Sequence, residues 1–114
     1  MHELGIVFHI IDDVTEVARA NDASSVTSVT LELGEVSGVV PELLSDAWRW
    51  AADRAELLHG AELICEPIEA VTLCEDCGLR YRTVDHGRTC PGCGSEGTHL
   101  EVGREVMIKE IGAL

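Results

Sequence analysis

Two Cys-x-x-Cys pairs fall within one short stretch: Cys74-Glu75-Asp76-Cys77 and Cys90-Pro91-Gly92-Cys93, with 12 residues between them. A two-residue spacer turns the chain so that two sulfurs reach one metal. Two such knuckles suit a tetrahedral site of four thiolates. Gly78 and Gly94 each follow the second cysteine of a pair, where a tight turn favours positive φ. Disulfides fit an intracellular chain poorly, and a redox Cys-x-x-Cys leaves the second pair without a role. Zinc is therefore the expected metal on Cys74, Cys77, Cys90 and Cys93. A rubredoxin-type iron site shares much of this geometry. Four thiolates fill the coordination sphere, so the zinc reads as structural. Apolar residues between Val71 and Leu100 are too few for a core, so the metal is expected to supply much of the folding energy there. His86 and His99 flank the second knuckle. They read as solvated loop histidines, or as residues able to replace a cysteine ligand. Cys65 reads as a buried, inert strand cysteine.

Charge divides the 114 residues in the same place. Residues 1–70 hold 14 acids and 3 bases, residues 71–100 hold 4 and 3, and residues 101–114 hold 3 and 2. The expected organisation is an α/β domain of residues 1–70 plus 101–114, with a zinc-ribbon subdomain of residues 71–100 inserted. The total of −13 argues against nucleic acid, whose phosphates call for a basic face, and against an anionic membrane surface. No run approaches the roughly 18 apolar residues of a membrane span, and no secretory signal pattern is present. A cytoplasmic protein is expected.

Leu4, Val7, Phe8, Ile11, Val14 and Ala18 recur at helical spacing, with Asp12, Asp13, Glu16 and Arg19 largely opposite. Val26 to Glu35 alternates and is rich in β-branched residues, as a strand would be. Pro41-Glu42 opens a second helix whose apolar face is Leu44, Ala47, Trp48, Ala51 and Ala55, ending at His59-Gly60. Ala61 to Ala70 reads as a second strand, with Pro67 marking an edge or bulge, and Val102 to Ile111 as a third. The fold class is α+β: two helices packed on a three-stranded sheet, with an inserted zinc ribbon.

The chain opens Met1-His2-Glu3. An α-amine, backbone nitrogens and the His2 imidazole within chelating reach suit Ni(II) or Cu(II), which favour square-planar or tetragonal nitrogen and oxygen donors. Glu3 offers a carboxylate. On chemistry alone, a histidine here is more often an ordinary solvated residue.

Met1-His2-Glu3, Gly34-Glu35 after the first strand, and the four cysteines late in the chain together resemble the HypA/HybF nickel metallochaperones. The resemblance covers essentially the whole chain. It implies nickel as transient cargo on Met1, His2 and Glu3, with His2 the critical ligand, and structural zinc on the four cysteines. It also implies delivery of nickel during maturation of nickel–iron hydrogenase and, in some organisms, urease. The implied partners are a nickel-handling GTPase accessory protein and the hydrogenase large-subunit precursor, with the chain a monomer or weak homodimer.

A protein–protein interaction module built on the zinc ribbon, with no nickel role, is the alternative. An enzyme is not expected. No nucleophile–base pair or phosphate-binding glycine loop stands out, and Asp12, Asp13 and Glu35 read as surface acids.

Overall fold

The computed structural model describes residues 2–114. Helix α1 (His2–Ala20) is followed by β1 (Val26–Gly34), α2 (Pro41–Ala52) and β2 (Glu62–Ile68). Then come β3 (Val71–Cys74), β4 (Arg80–Arg82), the single turn α3 (Thr83–His86), β5 (Thr98–Val102) and β6 (Val106–Ala113). The strands form two sheets of three, ordered β2-β1-β6 and β4-β3-β5. The α+β class and the order helix, strand, helix, strand, cysteine-rich insertion, strand are as expected. Among the described residues, no helix is long and apolar enough to cross a membrane.

Contacts divide the chain into two compact units: residues 1–31, 39–66 and 107–114, and residues 32–38 and 67–106. The first has a conventional core. Val7, Ile10, Ile11, Val14 and Ala18 of α1 are buried, as are Val26, Val29 and Leu31 of β1 and Leu44, Trp48, Ala51 and Ala52 of α2. The buried stripe of α1 thus includes Ile10 in place of the expected Phe8. Phe8 is 45% exposed and meets Trp50 of α2 edge-to-face at 6.2 Å, a favoured aromatic geometry. Trp48 donates its indole N–H to the Ala61 carbonyl at 2.9 Å, so its polar edge is satisfied inside the core.

Helix α2 opens at Pro41 with Glu42 in its first turn, as expected, but stops at Ala52 rather than near His59. The Arg54 guanidinium lies 4.0 Å over the Trp50 ring and donates to the Trp50 carbonyl at 2.7 Å. That oxygen is the one a continuing helix would offer to the Arg54 N–H. The backbone tightens instead into i→i+3 bonds, Arg54 N–H to Ala51 and Ala55 N–H to Ala52.

In the second unit, β3 pairs antiparallel with β4, Thr72 opposite Tyr81, and with β5, Cys74 opposite Thr98. The expected second strand is cut after Ile68 because the Ala70 N–H turns to the Glu35 carboxylate, 3.0 Å away. Pro67 does sit on an edge strand, since β2 borders its sheet. The expected third strand is likewise two, β5 and β6, separated at Gly103. That residue is buried with φ +110, and a Cβ on it would overlap Ala70, whose own Cβ lies 2.6 Å away. A Cβ on Gly34 would in turn collide with the Gly103 carbonyl. Gly34, Glu35, Ala70 and Gly103 thus form one close backbone junction.

Gly103→Ala is expected to cost about 3 kcal/mol, from overpacking added to backbone strain. Gly38 has φ +83 with nothing near its would-be Cβ, so Gly38→Ala should cost only about 1 kcal/mol. Urea denaturation of both variants separates contact from conformation, and equal losses would contradict the junction.

Candidate metal centre

The two knuckles are built alike. The Gly78 N–H bonds to the Cys74 carbonyl and the Gly94 N–H to the Cys90 carbonyl, both at 2.9 Å. Gly78 and Gly94 take φ +79 and +76, so the turn chemistry expected after each pair is present twice. The knuckles are also tied together. The Ser95 hydroxyl and the Asp76 carboxylate are hydrogen-bonded, and the Glu75 N–H donates to the Gly97 carbonyl at 2.9 Å.

These turns gather the sulfurs of Cys74, Cys77, Cys90 and Cys93 within 4.8 Å of one another. Cys74 Sγ lies 3.6 Å from Cys93 Sγ, and Cys77 Sγ 3.6 Å from Cys90 Sγ. A tetrahedron of sulfurs about 2.3 Å from a central zinc has edges of about 3.8 Å, so the donor set fits such an ion. All four thiols are free. Cys74 and Cys90 are buried, Cys77 and Cys93 exposed, so one side of the cluster meets solvent.

Close packing spreads their proton affinities. Burial opposes ionisation of Cys90, but the N–H groups of Cys93 and Gly92 and the Cys77 and Cys93 thiols prevail, bringing it down to about 7. The Ser95 N–H favours a Cys93 thiolate, yet the Cys74 thiol, burial, and Cys77 and Cys90 push it up to about 12. The Leu79 N–H favours a Cys77 thiolate too, but the Cys90 thiol, burial and Cys74 leave it above the usual value. Four thiols this close cannot all ionise without a cation among them.

Behind the sulfurs there is little else. The buried cluster here is Cys74, Tyr81 and Cys90, with the Tyr81 hydroxyl donating to the Gly87 carbonyl at 2.8 Å. His86 packs edge-on against Tyr81 at 5.8 Å, and His99 Nδ1 sits 3.1 Å from a Glu75 carboxylate oxygen. Neither histidine belongs to the group of ligand atoms around the four sulfurs.

Met1, and the side chain of His2, lie outside the described residues. The His2 backbone opens α1, and Glu3 follows in its first turn. Glu3 is half-buried at a groove of about 310 Å³ that it shares with Leu4, Leu43, Asp46, Ala47 and Trp50. Cys65 lies in β2 but is half-buried rather than buried, because β2 is an edge strand, and what burial it has pushes its thiol up. Glu35, read as a surface acid, is the acceptor that shapes the Ala70 turn. Only the Gly34-Glu35 pair hinted at that junction in the sequence.

A family model described as hydrogenase/urease nickel incorporation, metallochaperone, hypA matches residues 1–113. The chain is 45% identical over 112 residues to a protein named hydrogenase maturation factor HypA from Chlorobium phaeobacteroides, covering 97% of each chain. It is 35% identical over 111 residues to the protein of that name from Aquifex aeolicus, covering 97% of this chain and 96% of that one. Its fold is similar to the solution structure of the nickel metallochaperone HypA from Helicobacter pylori, with a TM-score of 0.74, 23% identity, and coverage of 98% and 97%. The chain therefore belongs to the HypA family of nickel-incorporation metallochaperones of hydrogenase maturation.

Proposed function

We propose that the chain carries Ni(II) on Met1, His2 and Glu3 and releases it to a nickel enzyme under assembly, while Cys74, Cys77, Cys90 and Cys93 hold a structural zinc. The observation that carries this reading is the four-sulfur cluster itself, in a chain that matches a nickel-incorporation family over its whole length. Its soft thiolate donors at tetrahedral spacing complete a zinc sphere and leave no position for exchange. Cargo then belongs elsewhere, and Met1-His2-Glu3 offers the nitrogen-rich set that nickel favours.

The start of α1 suits transient binding. The first N–H groups of a helix have no intrahelical acceptor, so the amides at His2 and Glu3 are not locked into the helix ladder. The helix dipole opposes a cation at this end, and the Glu3 carboxylate offsets it. A short, exchangeable chelate follows.

The zinc cross-links two turns, and we assign it no part in transport. The division of labour places nickel in the α/β domain of residues 1–70 and 101–114, and zinc in the ribbon of residues 71–100. The clients are the hydrogenase large-subunit precursor and, where present, urease, with a nickel-handling GTPase as accessory partner. The chain acts in the cytoplasm as a monomer or weak homodimer, and carries metal rather than catalysing a reaction.

Calorimetric titration of the zinc-loaded, tag-free chain with Ni(II) tests this. About one equivalent should bind per chain with zinc content unchanged, as expected for a nitrogen-donor site separate from the thiolates. Nickel uptake that expels an equal amount of zinc would place the cargo on the cysteines and overturn the reading.

A further inference from the structure

A cavity of about 410 Å³ in the second unit is lined by Thr72, Thr83, Arg88, Thr98, His99 and Arg104, together with three uncharged residues. None of its nine lining residues is an acid, in a chain with 21 acids and 8 bases. The arginines make the cavity unusual. Five of the seven have partners: Arg19 with Glu56, Arg49 with Asp46, Arg80 with Glu101, Arg82 with Glu69 and Asp85, and Arg54 with Trp50. Among the described residues, Arg88 and Arg104 form no ion pair. Arg54 also faces no acid, but the Trp50 ring and carbonyl occupy its guanidinium. The two guanidiniums left without any partner among the described residues border the same cavity.

The hydroxyls add directed donors. Thr72 is 3% exposed, and its Oγ1 lies 2.6 Å from Thr83 Oγ1. One hydroxyl of the pair donates to the other, leaving the acceptor's own proton free to donate at the cavity wall. The Thr98 hydroxyl donates to the Arg88 carbonyl at 2.7 Å, which fixes the backbone carrying that guanidinium.

We infer that this cavity binds an oxyanion, a phosphate or carboxylate group, with Arg88 and Arg104 as its charged forks and the Thr72–Thr83 pair as a neutral donor. Guanidinium matches the planar, bidentate geometry of such groups better than any other side chain. The inference does not depend on the nickel reading, because every lining residue belongs to the second unit.

The test is an amide chemical-shift titration of the zinc-loaded, nickel-free chain with inorganic phosphate and, separately, with succinate. Both run against sodium chloride at matched ionic strength. At least one oxyanion should give saturable shifts centred on Thr72, Thr83, Arg88 and Arg104. Arg88→Gln and Arg104→Gln should each weaken it tenfold or more, at unchanged zinc content. The tighter of the two identifies the source, a phosphorylated small molecule or a carboxylate. Shifts no larger than those with chloride, or shifts that persist in the double variant, would overturn the inference. Neither arginine has a structural partner to lose, so loss of folding does not obscure the result.

Discussion

Stripping the metal from the four-sulfur site with a strong chelator is expected to collapse the second unit while the first stays folded. The buried cluster around the sulfurs is Cys74, Tyr81 and Cys90, and burying one large side chain contributes only about 1.5–3 kcal/mol. A structural zinc contributes about 10–16 kcal/mol, as much as the whole net stability of a typical domain. The first unit has its own core in Val7, Val14, Leu31, Leu44 and Leu58, all fully buried. Amide spectra should lose dispersed signals from β3, β4 and β5 and keep those of α1 and α2. Cys77→Ser should be nearly as damaging as Cys74→Ser, although Cys77 is exposed and Cys74 buried, because each removes one ligand. A mild Cys77→Ser beside a severe Cys74→Ser would show that packing, not metal, holds the unit.

The same site carries a pH dependence of defined sign. With Cys77 raised and Cys93 at about 12, both thiols are protonated at neutral pH in the metal-free chain. Metal uptake then displaces at least two protons, so affinity strengthens by about a hundredfold or more per unit rise in pH. Acidification should therefore release the metal, and proton release measured in buffers of different ionisation enthalpy should exceed two per zinc.

The metal cluster was the most legible part of the sequence because its chemistry is local. A two-residue spacer and a following glycine fix each knuckle within five residues, and Gly78 and Gly94 adopt the turn their positions demand. The α+β class was legible for a related reason, since the period of Val7, Val14 and Ala18 and the alternation in β1 belong to single elements. The helix end at Ala52 and the breaks at Ala70 and Gly103 were not. The two breaks are set by groups that meet the backbone from elsewhere, the Glu35 carboxylate at Ala70 and the Ala70 backbone against Gly103. The helix end turns on a local contact, the Arg54 fork at the Trp50 carbonyl, that residue spacing does not announce. The arginine-lined cavity leaves no trace in the sequence because its parts lie far apart along the chain. Thr72, Arg88 and Arg104 carry no pattern in sequence and meet only once β3 and β5 are paired.

His2→Ala is expected to abolish specific nickel binding and leave zinc untouched. Imidazole supplies the side-chain nitrogen of Met1-His2-Glu3, and the nitrogens of the chain itself chelate weakly without it. A loss of a hundredfold or more in affinity is therefore expected. The substitution should leave folding intact: His2 is the first residue of α1, where alanine is a good helix former, and the buried stripe begins at Val7. Glu3→Gln separates charge from ligation. If the carboxylate only offsets the helix dipole, an effect of about 0.3–1 kcal/mol, nickel should bind a few times more weakly; if it is a ligand, the loss should approach that of His2→Ala. Calorimetry with zinc quantified on every sample reads both. Nickel binding that survives His2→Ala would remove the cargo from Met1-His2-Glu3 and leave the zinc ribbon as the chain's working surface.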